Sequence, residues 1–459
     1  MSVSEQDDVR AGRLAKIKQI AIIGIPAVIE SVISVVIGSI DTKMISGLGK
    51  EAVSAVSFTS QPKLIILSAF LAMGTAVSVF VAQALGKDDK EEANSYFQNI
   101  LRFATVLSLT VGILAALLAK PIMMLCNRQP DTVDMSISFF RIIMLFLVFN
   151  AVSIVLNSAM RGIGKTRLTL ISSITMGAVD VFVNYLLIEG HWGFPKLGVV
   201  GDALGTVCGM AAACVISLIL MTRRSHFLTL KGVFNLKWDK EVMKNIRTKV
   251  GNIIVENLFT RLGFLFSSII ISGLSSDLTA VYSVTMILLN YSFAFGDGLQ
   301  AAVVTLTGRC MGSKQYRELK EYVTLSRIVG VVVALALSVI YLTGARFFYS
   351  QFFQDEEAIS QGISYTYVAA ALTLLQIIRI INVGAMRGMG EVKSPRTMAT
   401  ICVLIISPAV AFIMTNIFSF GVWGIWMGSL SSQIVWFIMS IIKENQCMKR
   451  TLALETQPA

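Results

Sequence analysis

The sequence predicts an all-α integral membrane protein: twelve transmembrane helices in two six-helix lobes related by an internal parallel repeat. Three observations predict it. First, 55 % of the 459 residues are hydrophobic, only 15 % are charged, and the mean hydropathy is +0.72. Soluble chains carry about 25 % charged residues, so a cytosolic enzyme, a disordered chain and a secreted disulfide scaffold are excluded. Second, the chain divides into twelve apolar runs, each near the ~20 residues a membrane span needs. Third, short motifs recur about 226 residues apart.

The runs have cores at 19–40, 64–85, 103–119, 136–157, 168–188, 203–221, 250–272, 279–304, 323–343, 363–384, 397–415 and 422–442. All are read as helices, because an open sheet cannot face lipid and the runs are too long for barrel strands. The first is too long for a signal peptide and lacks a small-residue cleavage site, so it is kept as a span. Pro26 interrupts it by removing a backbone donor. In the sixth, Gly201, Gly205 and Gly209 recur every four residues, which allows close helix packing. In the eighth, Gly296 and Gly298 flank Asp297, marking a close helix approach or a break.

Basic residues orient these spans. Twenty-eight Lys and Arg fall in segments that share a side if both termini are inside, eight of them between 222 and 249. Far fewer fall on the other side, among them Lys50, Lys120, Arg128, Lys196 and Arg346. By the positive-inside rule this sets both termini in the cytoplasm of a plasma (inner) membrane protein. The net charge of +11 is therefore read as topology, with no nucleic-acid partner. Six scattered cysteines without a C-x-x-C pair, and the isolated His191 and His226, read as neither a redox nor a zinc set. Gly162-Ile163-Gly164-Lys165-Thr166 ends like a P-loop, but Ala159 stands where its first glycine belongs. No ATP site is expected, and the chain is not read as an enzyme.

The repeat is read from Met160-Arg161-Gly162-Ile163-Gly164 against Met386-Arg387-Gly388-Met389-Gly390, and from Ala84–Lys87 against Cys310–Ser313. Glu30 is matched by Glu256, and Gly198–Gly201 by Gly421–Gly424 at an offset of 223. It divides the chain into an N-terminal lobe (1–222), a basic linker (223–249) and a C-terminal lobe (250–459). Six helices per half give parallel halves, an arrangement that places a transporter's substrate site at their interface. One chain then supplies both lobes, and a monomer is expected.

Several motifs at these spacings resemble the MATE (multidrug and toxic compound extrusion) transporters, NorM/DinF-like. They are Asp41–Gly49 after the first helix, Val81–Gly86 after the second, the two Arg-Gly turns, Asn184–Gly190 and Gly198–Gly201. The resemblance covers the whole chain. It implies an antiporter exporting lipophilic, cationic organic compounds or drugs in exchange for Na+ or H+, with no other cofactor.

The resemblance assigns the residues as follows. Asp41 matches the family's cation-coupling aspartate. Asp180 and Asn184 share a helix face in the order Asp-x-x-x-Asn, the reverse of the family's Asn-x-x-x-Asp. They keep one carboxylate and one amide, so Asp41, Asp180 and Asn184 are the Na+ ligand candidates, with Thr206 adding a hydroxyl. Glu256 resembles the glutamate of the NorM-like branch, and Gln376 stands where that branch can carry an aspartate. Glu256, its repeat mate Glu30 and Gln376 are thus candidates for a substrate-binding or second acidic site. Glu256 can alternatively pair with Arg261 or Arg379, and Glu30 can hydrogen-bond across helices. Asp202 is read as a helix-start residue. In the family the first helix's bend is linked to the nearby aspartate, so Pro26 is the expected hinge.

The rival reading is a flippase for a lipid-linked precursor or another amphipathic lipid. It predicts a basic intramembrane cluster for a pyrophosphate, whereas the intramembrane charges here are mostly acidic. A channel or receptor would not need the internal repeat.

Overall fold

The structure is a computed structural model and describes residues 3–126, 130–224, 227–233, 240–272 and 276–455. Arg128, His226 and Lys237 lie outside them. The described residues form helices and no strands. They are α1 (Val3–Ser46), α2 (Lys50–Gly86), α3 (Lys90–Leu117), α4 (Ala119–Cys126), α5 (Pro130–Leu145), α6 (Leu147–Gly162), α7 (Thr166–Ile188) and α8 (Val199–Arg224). After the linker come α9 (Lys240–Ser272), α10 (Ser276–Gly312), α11 (Tyr316–Ser350), α12 (Glu356–Gly388), α13 (Lys393–Ala399), α14 (Ser407–Phe412) and α15 (Val422–Ala453).

Among the described residues, eleven helices are long and apolar enough to cross a membrane. A further pair, Thr132–Leu145 and Leu147–Gly162, bends by 50° and brings the number to twelve if it is one span. This is the fourth run of the sequence. The eleventh run, Lys393–Ile417, is α13 and α14 with π-helical stretches at Thr400–Ile406 and Ile413–Ile417. Pro408 sits between these stretches and cannot donate to the carbonyl one turn back, and such sites favour π-type widening.

Burial is inverted relative to a soluble protein. Glu30, Asp180, Asp202, Glu256, Arg379 and Glu444 are buried, whereas Val106, Leu117, Val332 and Val339 are more than half exposed. Water would reverse that partition, and hydrocarbon produces it.

The repeat is visible in the backbone. Asp88 and Lys314, 226 residues apart, both take the left-handed conformation that ends α2 and α10. Gly164 and Gly390 do so after α6 and α12, and Gly198 and Gly421 before α8 and α15. After the Arg-Gly turns the same bonds recur, Lys165 N to Met160 O at 2.9 Å and Glu391 N to Met386 O at 2.8 Å.

Two compact units result, Ile29–Ile254 and Met1–Val28 with Val255–Ala459. The lobes drawn from the sequence assigned all of residues 1–222 to the first half. The structure instead places the first 28 residues with the second. The reason is packing: Ile20 lies in one core with Leu299, Val303 and Ile381. Val28 stacks its backbone on Gly298, where a Cβ would come within 2.4 Å of Val28 Cα. Gly298 is thus a close approach in an unbroken α10. Helix α1 begins at Val3 rather than near residue 19, so Pro26 lies deep inside it, two residues before the division between units.

In the other unit, Ile45 and Ala52 pack with Phe139, Phe140, Met144, Ala203 and Met210. This core fixes the end of α1 against α5 and α8.

Candidate functional site

The site in unit Ile29–Ile254 is built by α1, α2, α7 and α8. Asp41 is half-buried near the end of α1. Asp180 and Asn184 stand one turn apart on α7, 2 % and 0 % exposed. Asn184 Nδ2 donates to Asp180 Oδ1 at 3.1 Å and to Asp41 Oδ1 at 3.3 Å. One amide thus holds two carboxylates from two helices.

Glycines permit this arrangement. A Cβ on Gly177 would meet Ile37 Cδ1 at 2.0 Å, so Ile37, one turn before Asp41, seats α1 on α7. A Cβ on Gly205 would lie 1.9 Å from Asn184 Oδ1, and one on Gly209 would lie 2.9 Å from Asp180 Cβ. The glycine stripe of α8 is therefore the wall against which the site residues stand.

Two further charges belong here. Asp202, in the first turn of α8 and 2 % exposed, acts electrostatically on Asp180 and Lys63. Its helix-start position holds, and its charge also acts on the cluster. Lys63, half-buried in α2, is a cation whose field reaches Asp202, Asp41 and Asp180. The sequence reading overlooked it because the apolar run starts at Leu64. The signal was a lysine at the edge of an apolar run, outside the strongly basic segments. Asp41, Asp180 and Asp202 lie within electrostatic reach of one lysine in a low-dielectric span, so the cluster can take up a proton or a small cation. Asn184 Oδ1 and Asp202 Oδ1 are buried without a hydrogen-bond partner among the described residues, two hard oxygens with free lone pairs. Thr206 is half-buried and shares no hydrogen bond with the cluster among the described residues. Nor do three His, Cys, Asp or Glu side chains there converge as a metal cage.

The second acidic set is an ion-pair set. Glu30 accepts from Arg161 Nη1 at 3.1 Å, Thr169 Oγ1 at 2.6 Å and Ser173 Oγ at 3.2 Å. Glu256 accepts from Arg387 Nη2 at 2.8 Å, and Arg387 Nη1 donates to Gln300 at 3.2 Å. Glutamate and arginine are both related by the 226-residue repeat, so each unit carries the same strut from its first repeat helix to its Arg-Gly turn. Sequence reasoning named Arg261 and Arg379 as partners for Glu256. The bond is instead to Arg387, because the turn brings that guanidinium back onto α9. Arg379 stacks on Trp436 at 3.7 Å and donates to Gln433 at 3.0 Å. Gln376 is buried and its Nε2 has no hydrogen-bond partner among the described residues, and no bond there joins it to Glu256. A further buried pair, Arg327 with Glu444, held by Asn382 and Ser440, was not anticipated, since both residues sit near span ends.

A many-helix membrane bundle in two repeated units, with a buried carboxylate cluster in one span set, defines a multi-pass transporter. The MatE family model matches residues 26–186 and 253–413, one match per repeat, and the chain belongs to that family of MATE transporters. A probable multidrug resistance protein NorM of Thermotoga maritima is 22 % identical over 418 residues, 91 % of this chain and 89 % of its own length. An uncharacterized transporter, YisQ, of Bacillus subtilis is 24 % identical over 89 % and 90 %. Among solved structures, a MOP superfamily transporter from Pyrococcus furiosus aligns over 95 % of this chain and 96 % of its own, with a TM-score of 0.86 at 19 % identity.

Proposed function

We propose that the protein is a cation-coupled antiporter that exports lipophilic organic cations from the cell by alternating access, driven by entry of Na+ or H+. It works as a monomer in the inner membrane with both termini cytoplasmic. The observation that carries this reading is the Asn184 amide bonded to both Asp41 and Asp180 inside the span. The amide serves either ion. Its Nδ2 holds two carboxylates together, and its Oδ1 offers Na+ a neutral hard oxygen of the kind such cations take. Asp202 and Lys63 set the net charge that an entering cation changes. In one-for-one exchange of monovalent cations the charge movements cancel and the ion's concentration gradient supplies the drive, whereas each further cation that enters adds about 2.3 kcal/mol per 100 mV. Relatives named as multidrug resistance proteins support the substrate class. A lipid-pyrophosphate flippase would need a basic cluster, and a single lysine among three aspartates does not supply one.

The test is dye efflux from proteoliposomes under imposed Na+ or H+ gradients. Wild type should move a cationic dye with one gradient, and Asp41→Asn should not respond to it. Transport by Asp41→Asn equal to wild type would refute this site.

A further inference from the structure

We propose that a cleft between α1, α11 and α15 binds the headgroup of an anionic phospholipid, and that α11 carries its acyl chain. The cleft is about 560 Å³ and is lined by Arg13, Arg317, Lys320, Glu321, Leu325 and Ile328, with the end of α15 closing it. Its charges do not cancel. Glu321 is taken by Lys16, and Glu455 by Arg317 at 3.2 Å. Arg13 and Lys320 are exposed and have no ion-pair partner among the described residues. Both carboxylates of the cleft are therefore neutralised while two cations remain, which suits a phosphate and repels a cation.

The apolar side identifies the rest of the ligand. Ile328 belongs to the cleft and is 54 % exposed. Val332, Leu335, Val339 and Leu342 follow it, exposed by 61, 49, 58 and 41 %. These positions step by four, three, four and three residues, so they form one stripe along α11. From Ile328 to Leu342 the stripe runs about 21 Å at 1.5 Å per residue, more than the ~15 Å of one leaflet's hydrocarbon. An inorganic phosphate would use the cations and leave the stripe unused, whereas a phospholipid uses both. Basic pockets between membrane helices recognise anionic headgroups in this way.

The experiment is native mass spectrometry of the full-length protein in detergent, with phosphatidylglycerol or phosphatidylcholine added at equal concentration. Wild type should retain phosphatidylglycerol in preference to phosphatidylcholine. The double variant Arg13→Gln/Lys320→Gln should lose that preference by roughly thirtyfold, since each basic residue near an anionic surface contributes about a fivefold factor. The charge-preserving pair Arg13→Lys/Lys320→Arg should keep it, and melting temperatures should match because both side chains are exposed. Three outcomes would overturn the proposal: equal retention of both lipids by wild type, undiminished phosphatidylglycerol binding by the Gln pair, or displacement of the lipid by millimolar inorganic phosphate.

Discussion

Gly205 decides whether Asn184 can stand where it does. A methyl there would lie 1.9 Å from Asn184 Oδ1 and 3.1 Å from its backbone nitrogen, so α7 and α8 must separate or the amide must turn. We expect Gly205→Ala to cost about 1–3 kcal/mol of stability, the range for overpacking, and to abolish ion-gradient dependence of dye efflux as Asp41→Asn does. Gly38→Ala is the control, since nothing lies within 4 Å of its added carbon. It should leave both properties unchanged or slightly raise stability. A Gly205→Ala protein with normal coupling would show that the Asn184 position is not used. At this scale the sequence was readable where a residue type is costly in lipid: Asp41, Asp180 and Asn184 stand out and the structure joins them. It was unreadable where the deciding fact is direction. Asp202 looked like a cap because its chain position explains it fully, and Lys63 looked like a boundary because hydropathy starts one residue later.

Helix α3 holds the interlobe linker by a ladder of side chains at i, i+4 and i+8. Asn94 donates to Phe227 O at 3.0 Å and accepts from Thr229 N at 2.7 Å. Gln98 donates to Thr229 O at 3.2 Å and Lys231 O at 2.8 Å, and Arg102 to Gly232 O at 3.2 Å. These bonds give an extended strap the partners that a helix or sheet would supply, each with a net value of about 1 kcal/mol. We expect Asn94→Ala/Gln98→Ala to raise the rate of tryptic cleavage at Lys231 at least several-fold in the native protein. An unchanged rate would mean the strap is held by something else, such as the buried Leu228. Composition revealed this segment as a basic linker and nothing more, because its partners lie some 130 residues away. The same limit applies to α1. Its apolar run was evident, yet periodicity cannot say that residues up to Val28 pack on α10 while Ile37 packs on α7.

The whole chain is two copies of one six-helix plan, and the copies differ where their struts meet solvent. Four short matches sufficed to read the repeat, because tight turns admit few residues, and the same offsets return in the left-handed residues at the helix ends. Burial, which no motif encodes, distinguishes the two Glu–Arg pairs. The Arg161 side chain is 28 % exposed and also donates to Ser158 at 3.0 Å, whereas the Arg387 side chain is 10 % exposed. Glu256 Oε2 and Arg387 Nε have no partner among the described residues. Removing the carboxylate's charge leaves an arginine that water can reach in the first unit and one that it cannot in the second. A buried pair broken on one side costs about 3–5 kcal/mol, and partial access to solvent reduces that cost. We therefore expect Glu256→Gln to lower the melting temperature in a fixed detergent more than Glu30→Gln, although Glu30 makes more hydrogen bonds. Adding Arg387→Met to Glu256→Gln should recover part of the loss, because the stranded charge leaves with the side chain. If Glu30→Gln is the more damaging, hydrogen-bond number outweighs desolvation in these struts. If the Arg387→Met addition deepens the loss, Arg387 holds its turn through Gln300 rather than through Glu256.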